Sequence, residues 1–402
     1  MTRAVRPSAI SLFTGAGGMD FGLEAAGFET QVCVDSDSEV CATLVHNRKW
    51  VVINRELGAV SPERLLFHAG ALPGEIDLVV GGPPCQPFSK SGYWARGDSK
   101  RLEDPRAQTL VDYLSVVEGT LPKAILFENV RGFAYKGKSE ALEFLLLGLD
   151  GINQRHGTRY NATYAVLQAA DHGVPQLRER FFLVASRAGE GFTFPSGGGE
   201  VSTAWDAIWD LPHDARDDLR VKGRWADLLP SIPEGWNYQW HTERGGGLPL
   251  FGWRRHFWNF LLKLSKEKPS WTVQAQPGPA VGPFHWDNRR MARHELARLQ
   301  TFPDSVEILG SLSVAQRQLG NAVPSLLAEL LGRAIRRQFF GETVGSRPKL
   351  LPSRAESAPG APSVGDVPAA YLHLVGSHSA HPGTGRGFAA ERRPSAQPAI
   401  LA

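Results

Sequence analysis

The sequence predicts an α/β protein: a mostly parallel sheet with helices on both faces, joined to a smaller, irregular and β-rich domain. Two observations carry that prediction. Over the first half of the chain, short apolar runs of strand character alternate with segments of helical period, the pattern of repeated βαβ units. From about Pro195 the alternation stops, and nine of the eleven tryptophans fall between Trp205 and Trp286 among prolines, glycines and basic residues.

The predicted strands are Ala9–Phe13, Gln31–Val34, Asp77–Val80, Ala124–Phe127 and Phe181–Ala185, and the helices between them are Asp20–Ala26, Glu39–Asn47, Gln108–Gly119 and Ser139–Leu147. Helical period returns from about Asp287, in Met291–Gln300 and Val323–Phe340. In the second of these, Leu326, Leu327, Leu330, Leu331 and Ile335 make one apolar face. The expected organisation is a first domain over 8–194, a second over 195–286, and helices over 287–342 that return to the first. Residues 343–402 are rich in Pro, Ala, Ser and Gly with little period, and read as a disordered tail.

Composition narrows the class. A chain of 402 residues has room for two domains. No run approaches the roughly 18–20 apolar residues of a membrane span, and the N-terminus lacks a secretory leader's apolar core, so no membrane partner is expected. Three cysteines without paired spacing argue against a disulfide framework or a structural metal site and point to a reducing, cytoplasmic setting. A net charge of +3 is too mild to demand a nucleic-acid partner, so such a surface has to come from local clustering.

Four segments carry chemistry. Leu12-Phe-Thr-Gly-Ala-Gly-Gly-Met-Asp-Phe-Gly22 follows a strand and opens a helix, as a nucleotide-binding turn does. Asp20 stands where a dinucleotide fingerprint needs its third glycine, so the turn suits a ligand without a pyrophosphate, such as S-adenosylmethionine at Gly15–Gly18. Asp35 ends the second strand, where such folds place an acid for ribose hydroxyls, although a solvated surface Asp has the same pattern. In Gly81-Gly-Pro-Pro-Cys-Gln-Pro-Phe-Ser89 an apolar run stops in a stiff turn that presents Cys85, the placement of a covalent nucleophile or of a small residue in a turn. Glu128, in Phe127-Glu-Asn-Val130, also ends a strand and could face Cys85. Gln176, Arg178 and Arg180 share one face ahead of the last strand, where arginines can hold a phosphate or a carbonyl oxygen.

Together these segments resemble the DNA (cytosine-5) methyltransferase family, restriction–modification type. SLFTGAGG is similar to its cofactor motif, GGPPCQPFS to its catalytic-cysteine motif, FENV to its glutamate motif and GVPQLRERFFLVA to its QxRxR motif. RRMARHELARLQTFPD and QRQLGNAVP resemble its two C-terminal motifs, all in the family's order over about residues 8–340. The resemblance implies a Rossmann-like, S-adenosylmethionine-dependent domain without a metal, and a target-recognition domain over the tryptophan-rich segment. It implies Cys85 as the nucleophile on C6 of a flipped cytosine, Glu128 at N3 and the exocyclic amine, Arg180 at O2, and Arg178 ordering the site. Cofactor contacts would come from Phe13, Gly15, Gly17, Gly18, Asp35, Glu56, Pro84 and Asn321.

Two positions depart from the family. Ser36 stands where a large apolar residue often meets adenine, and Glu56 where an Asp usually meets the adenine amine. The basic segment from Ser89 to Arg101, with Lys90, Arg96 and Lys100, resembles the loop that closes over DNA. Arg216, Arg220, Lys222, Arg224, Arg244, Arg254 and Arg255 are the expected phosphate or base contacts. Double-stranded DNA is the implied partner, a monomer the implied state, and a cognate restriction endonuclease the functional counterpart. A related branch acts on transfer RNA, but its Cys-Phe-Thr motif is absent here: none of Cys33, Cys41 and Cys85 precedes Phe.

Overall fold

The computed structural model describes residues 6–84, 108–134, 140–211, 218–254, 257–376 and 378. They form two compact units: residues 1–218, 267–276 and 292–358 in the first, and 219–266, 277–291 and 359–402 in the second. Among the described residues no helix is long and apolar enough to cross a membrane.

The first unit is built on a seven-stranded sheet: β1 (Ser8–Leu12), β2 (Glu29–Asp35), β3 (Val51–Asn54), β4 (Leu78–Gly81), β5 (Ala124–Val130), β6 (Thr163–Gln168) and β7 (Glu179–Ser186). Its spatial order is β3-β2-β1-β4-β5-β7-β6. The first five of these positions run parallel, and β7 is antiparallel to both β5 and β6. Leu12 pairs with Gly81 and Gly81 with Phe127, so the carboxyl ends of β1, β4 and β5 finish in line. In sheets of this kind ligands bind along that edge.

Around it lie α1 (Gly18–Ala26), α2 (Ser38–Asn47), α3 (Pro62–Ala69), α4 (Gln108–Thr120), α5 (Glu140–His156), α6 (Ala204–Ile208), α7 (Arg293–Leu299), α8 (Leu312–Asn321) and α9 (Ser325–Phe339). Alternation along each strand feeds two cores. Ile10, Leu12, Val79, Ile125 and Phe127 pack with Tyr113, Val117, Leu145 and Leu149 of α4 and α5. Ala9, Leu78, Val80, Leu126 and Phe182 pack on the other face with Leu23 of α1 and Leu327, Leu331 and Ile335 of α9. α1 and α9 approach so closely that a Cβ on Gly22 would stand 2.2 Å from the Ser325 carbonyl oxygen.

Several elements differ from the sequence-based expectation. β3, β6, α3, α6 and α8 are additional. α5 starts at Glu140 and continues past the predicted end at Leu147 to His156, through Gly148 and Gly151. At Gly148 the missing side chain is what admits α4, since a Cβ there would stand 2.3 Å from Leu114 Cδ1.

The unit boundaries also differ. Residues 267–276 fall within the first unit because they dock on the QxRxR segment. Leu177 N donates to Ser270 O at 2.7 Å, Ser270 N to Pro175 O at 2.9 Å, and Thr272 Oγ1 to Leu177 O at 2.6 Å. The segment from 343 is not the featureless tail that its composition predicts. Lys349 N and Leu350 N donate to the buried Glu329 carboxylate at 2.7 and 2.9 Å, and Leu350 and Leu351 pack against the α9 core. A fully buried acid needs such donors, and here the segment's backbone supplies them. Residues 379–402 lie outside the described residues.

The second unit is irregular, and its described residues form no extended strands. Its described backbone forms 3-10 turns at Ala226–Ser231, Tyr238–His241 and Ala369–Leu374, with isolated bridges at Phe260–Val281 and Lys263–Phe284 in place of the expected strands. Leu228, Leu229, Ile232, Leu250, Leu261, Phe284 and Tyr371 make its core, ringed by Trp225, Trp240, Phe251 and Phe260. Frequent Pro and Gly keep the chain off long ladders, so turns satisfy the backbone polar groups instead.

Candidate active site

Strand order brings the sequence motifs to one edge. After β1 the chain turns sharply: Phe13 takes φ +52, a left-handed conformation that costs a non-glycine residue of order 1–2 kcal/mol. Thr14 N and Oγ1 hold that turn by donating to Val34 O at 3.2 and 3.3 Å. Gly15 and Gly17 follow at φ +56 and +81. At Gly18 a Cβ would lie 2.2 Å from the Val323 carbonyl oxygen, so the turn can seat against the segment after α8 only without a side chain. Asp35 ties β2 to the turn, its Oδ2 accepting from Gly15 N at 2.8 Å and its Oδ1 from Asp37 N at 2.9 Å. Burial raises the Asp35 carboxyl above the ordinary carboxylate range, against those two backbone donors.

β4 and β5 bring the second pair of motifs together. Asn129 Nδ2 donates to Pro83 O at 3.1 Å, fixing the Gly82-Pro-Pro84 segment beside the end of β5. A Cβ on Gly82 would stand 2.7 Å from Glu128 Oε2, so the acid lies directly against the residues that lead to Cys85. Cys85 itself, and the basic segment 89–101, lie outside the described residues. Glu128 pairs with Phe182 across β5 and β7, which puts Arg180 diagonally opposite on the same face. Arg180 Nε meets Glu128 Oε1 at 3.0 Å, with both side chains largely withdrawn from solvent. Burial raises the Glu128 carboxyl, opposed by the Arg180 and Arg178 charges.

One cavity of about 390 Å³ joins these groups. Phe13, Gly15, Gly18, Asp35, Glu56, Pro84, Glu128, Arg180 and Asn321 all line it. Two of the described sequence-predicted residues do not. Gly17 instead caps α1, where a Cβ would strike Phe21 and Leu44. Arg178 is buried away from the cavity, its guanidinium donating to Gly320 O at 2.6 Å and Val273 O at 3.1 Å. It is a brace rather than a wall of the site: it fastens β7 to the α8 terminus that carries Asn321.

Arg317 lines the cavity as well and was not singled out in the sequence, although QRQLGNAVP contains it. It pairs with Asp37 and, at 2.7 Å, with Glu39, closing the rim between α8 and α2; the hydrogen bond holds the Asp37 carboxyl below its ordinary range. Cys33 and Cys41 are buried, and burial raises both thiols, Cys41 to about 11. Neither is a reactive thiolate.

A strained turn feeding a helix, an acid at the end of the next strand, and a glutamate–arginine pair beside the PPC segment define a class, and the sequence match agrees. The chain belongs to the C-5 cytosine-specific DNA methylase family, whose model matches residues 8–337. The protein is thus a DNA cytosine-5 methyltransferase, and the family is S-adenosylmethionine-dependent. It is 38% identical over 387 residues to the type II methyltransferase M.SacI of Streptomyces achromogenes, covering 86% of this chain and 96% of that one. It is 44% identical over 191 residues to M.AquIA of Picosynechococcus, covering 46% and 74%. The fold resembles the Entamoeba histolytica methyltransferase EhMeth, with TM-score 0.60, 16% identity and coverage of 84% and 98%. It also resembles the Schizosaccharomyces pombe Dnmt2 methyltransferase, with TM-score 0.58, 18% identity and coverage of 84% and 99%.

The cavity's chemistry fits the family's methyl donor. Backbone at Gly15 is open, with nothing within 4 Å of where a Cβ would stand. Asp35 and Glu56 offer acceptors to hydroxyl or amine groups, and Phe13, Val34 and Leu57 offer apolar surface to a ring.

Proposed function

We propose that the enzyme methylates C5 of one cytosine within a defined double-stranded DNA sequence, through a covalent bond between Cys85 Sγ and C6 of a base turned out of the helix. The observation that carries this reading is the Glu128 carboxyl, 3.0 Å from Arg180 Nε and set against Gly82, three residues before Cys85. S-adenosylmethionine, when bound along Phe13–Gly18, Asp35, Glu56, Pro84 and Asn321, supplies the methyl group. The chain's own residues do the rest. The Cys85 thiolate adds to C6, and the ring's electron pair moves toward N3. A carboxyl raised by burial is suited to hold a proton there, so Glu128 offers its proton to N3 and faces the exocyclic amine. Arg180 bonds O2. Once C5 carries the methyl group, water takes the C5 proton, N3 returns its proton to Glu128, and the C5–C6 double bond re-forms as the thiolate leaves. Extrusion of the base costs a few kcal/mol, which DNA contacts offset.

In this reading the second unit is the target-recognition domain, its exposed arginines reaching phosphates or base edges. The enzyme acts as a monomer that protects its host's DNA from a paired endonuclease, in keeping with the type II methyltransferases it resembles.

The test uses duplex DNA in which cytosine is replaced by 5-fluorocytosine, since fluorine at C5 blocks the elimination. The full-length enzyme is expected to form an adduct that survives denaturation, and Cys85→Ser to form none while still binding the cofactor. Methylation without a trapped adduct would overturn the covalent route. Methylated transfer RNA beside an unmethylated plasmid, read by bisulfite sequencing, would overturn the DNA substrate.

A further inference from the structure

The family match ends at residue 337, yet the chain beyond it re-enters the second unit. Gly365 N donates to Pro230 O at 3.0 Å and Gly376 N to Pro249 O at 3.2 Å, which pins both ends of a segment carrying Tyr371. Tyr371 is only 6% exposed, and Val367 and Leu374 pack beside it. Its ring stacks on Trp225 with centroids 5.7 Å apart and planes 19° from parallel, and its Oη donates to Arg224 O at 2.7 Å. The Arg224 guanidinium lies over the same indole, 4.8 Å from its centroid. Arg224 is exposed, and among the described residues no carboxylate pairs with it. The result is a stack with a fixed cation at its solvent end.

We propose that Tyr371 is a positioning residue for DNA binding: it locks Trp225 and the Arg224 backbone, so that the Arg224 guanidinium is held ready for a DNA phosphodiester. This rests on reading the second unit as the recognition domain. A long arginine loses rotamer freedom when it grips a phosphate, and a guanidinium already laid on a ring has less to lose. Tyr371 reaches DNA only through Arg224 and is not itself a catalytic residue.

The experiment measures duplex-DNA affinity of the full-length enzyme against salt concentration, with kcat at saturating DNA. Arg224→Ala and Tyr371→Ala are each expected to weaken binding roughly threefold to tenfold near 0.1 M salt, and to lower the slope of log K against log salt by about one. A fall in kcat at saturating DNA larger than the loss of affinity would overturn the inference. The double variant should bind no worse than Arg224→Ala alone, because both remove one contact. Tyr371→Phe keeps the stack and should recover most of the affinity, which guards against Tyr371→Ala simply failing to fold. Additive losses in the double variant, or an unchanged salt slope in Arg224→Ala, would overturn the inference. Arg244→Ala separates the two readings, because Arg244 stacks on Trp253 at 3.9 Å and does not touch Tyr371. If it weakens binding while Arg224→Ala does not, only the Tyr371 inference fails. If neither changes DNA binding, the recognition reading fails with it.

Discussion

The two units are held together by different physics. The first is a sheet whose strands bury both faces, so almost every core residue is placed by a period of 2 or 3.6 and by a backbone ladder. The second has no ladder among its described residues; aromatic contacts such as the Trp225–Tyr371 stack and the tilted Tyr238–Phe260 pair close its core, and single turns satisfy its backbone. A ladder fixes an edge on which four separate sequence motifs meet within ångströms. A stack fixes only the few side chains it includes; on the proposed reading of the second unit as the recognition domain, that suits a surface that varies with its target.

The largest expected effect tests the ladder side. Arg178 is buried among carbonyl oxygens, and Arg178→Met would leave Gly320 O and Val273 O without that donor. A loss of about 3–5 kcal/mol is expected, in line with breaking a buried charged network. If Arg178 braces rather than catalyses, the fraction still folded at low temperature should bind the cofactor weakly, because Asn321 is displaced, yet show kcat within about tenfold of the parent. A stable variant with normal cofactor affinity and no turnover would instead put Arg178 among the reacting groups.

How much of this was legible in sequence follows the same division. β1, β2, β4, β5 and β7 are apolar runs buried on both faces, and the sequence marks them plainly. β3 has only four residues, and β6 is an edge strand with Tyr164 and Val166 exposed, so neither carries a strong apolar signal. Of the residues lining the candidate cavity, Glu128, Arg180, Asp35 and Gly18 were legible as candidates because each lies at the start or end of a strand or opens a helix. Arg317 was not, since its role depends on α8 lying across the start of α2, a contact 278 residues apart in sequence. The described part of 343–402 was opaque for a different reason: apart from one 3-10 turn at Ala369–Leu374 it forms no periodic element, and its contacts are to partners such as Glu329 and Trp225, which composition does not show.

In each unit a buried ionisable group that the proposed chemistry does not use should make stability depend on pH, and the two should respond in opposite directions. Asp20, in the first turn of α1, is fully buried with Ser11 Oγ and Thr30 Oγ1 at 3.1 and 3.4 Å, and burial pushes its carboxyl up to about 7, with Glu24 adding to the rise. The folded state therefore holds a proton that the unfolded state has lost between about pH 4 and 7, and the first unit loses stability as pH rises through that window. Asp20→Asn should remove the slope and gain on the order of 2 kcal/mol at pH 8, with little change at pH 4. Helix melting by far-ultraviolet circular dichroism would show it; a parent melting curve flat from pH 4 to 8 would remove the argument.

The smaller effect belongs to the second unit. Lys263 is buried, donates to Ile232 O, and is pushed down to about 8 by burial, with Glu234 opposing the shift. Between pH 8 and 10.5 the unfolded chain binds a proton that the folded state does not, so here stability rises with pH. Lys263→Met removes the buried charge but also the donor to Ile232 O, and these oppose each other, leaving a gain of about 1 kcal/mol at pH 7 that vanishes by pH 10. Six of the eleven tryptophans lie in this unit, so their fluorescence follows its unfolding while circular dichroism follows the helices of the first. Opposite pH slopes in the two signals would mean that the ladder and the stack unfold as separate cooperative bodies. Coincident slopes would mean that one transition carries both, and that the division between them is architectural but not thermodynamic.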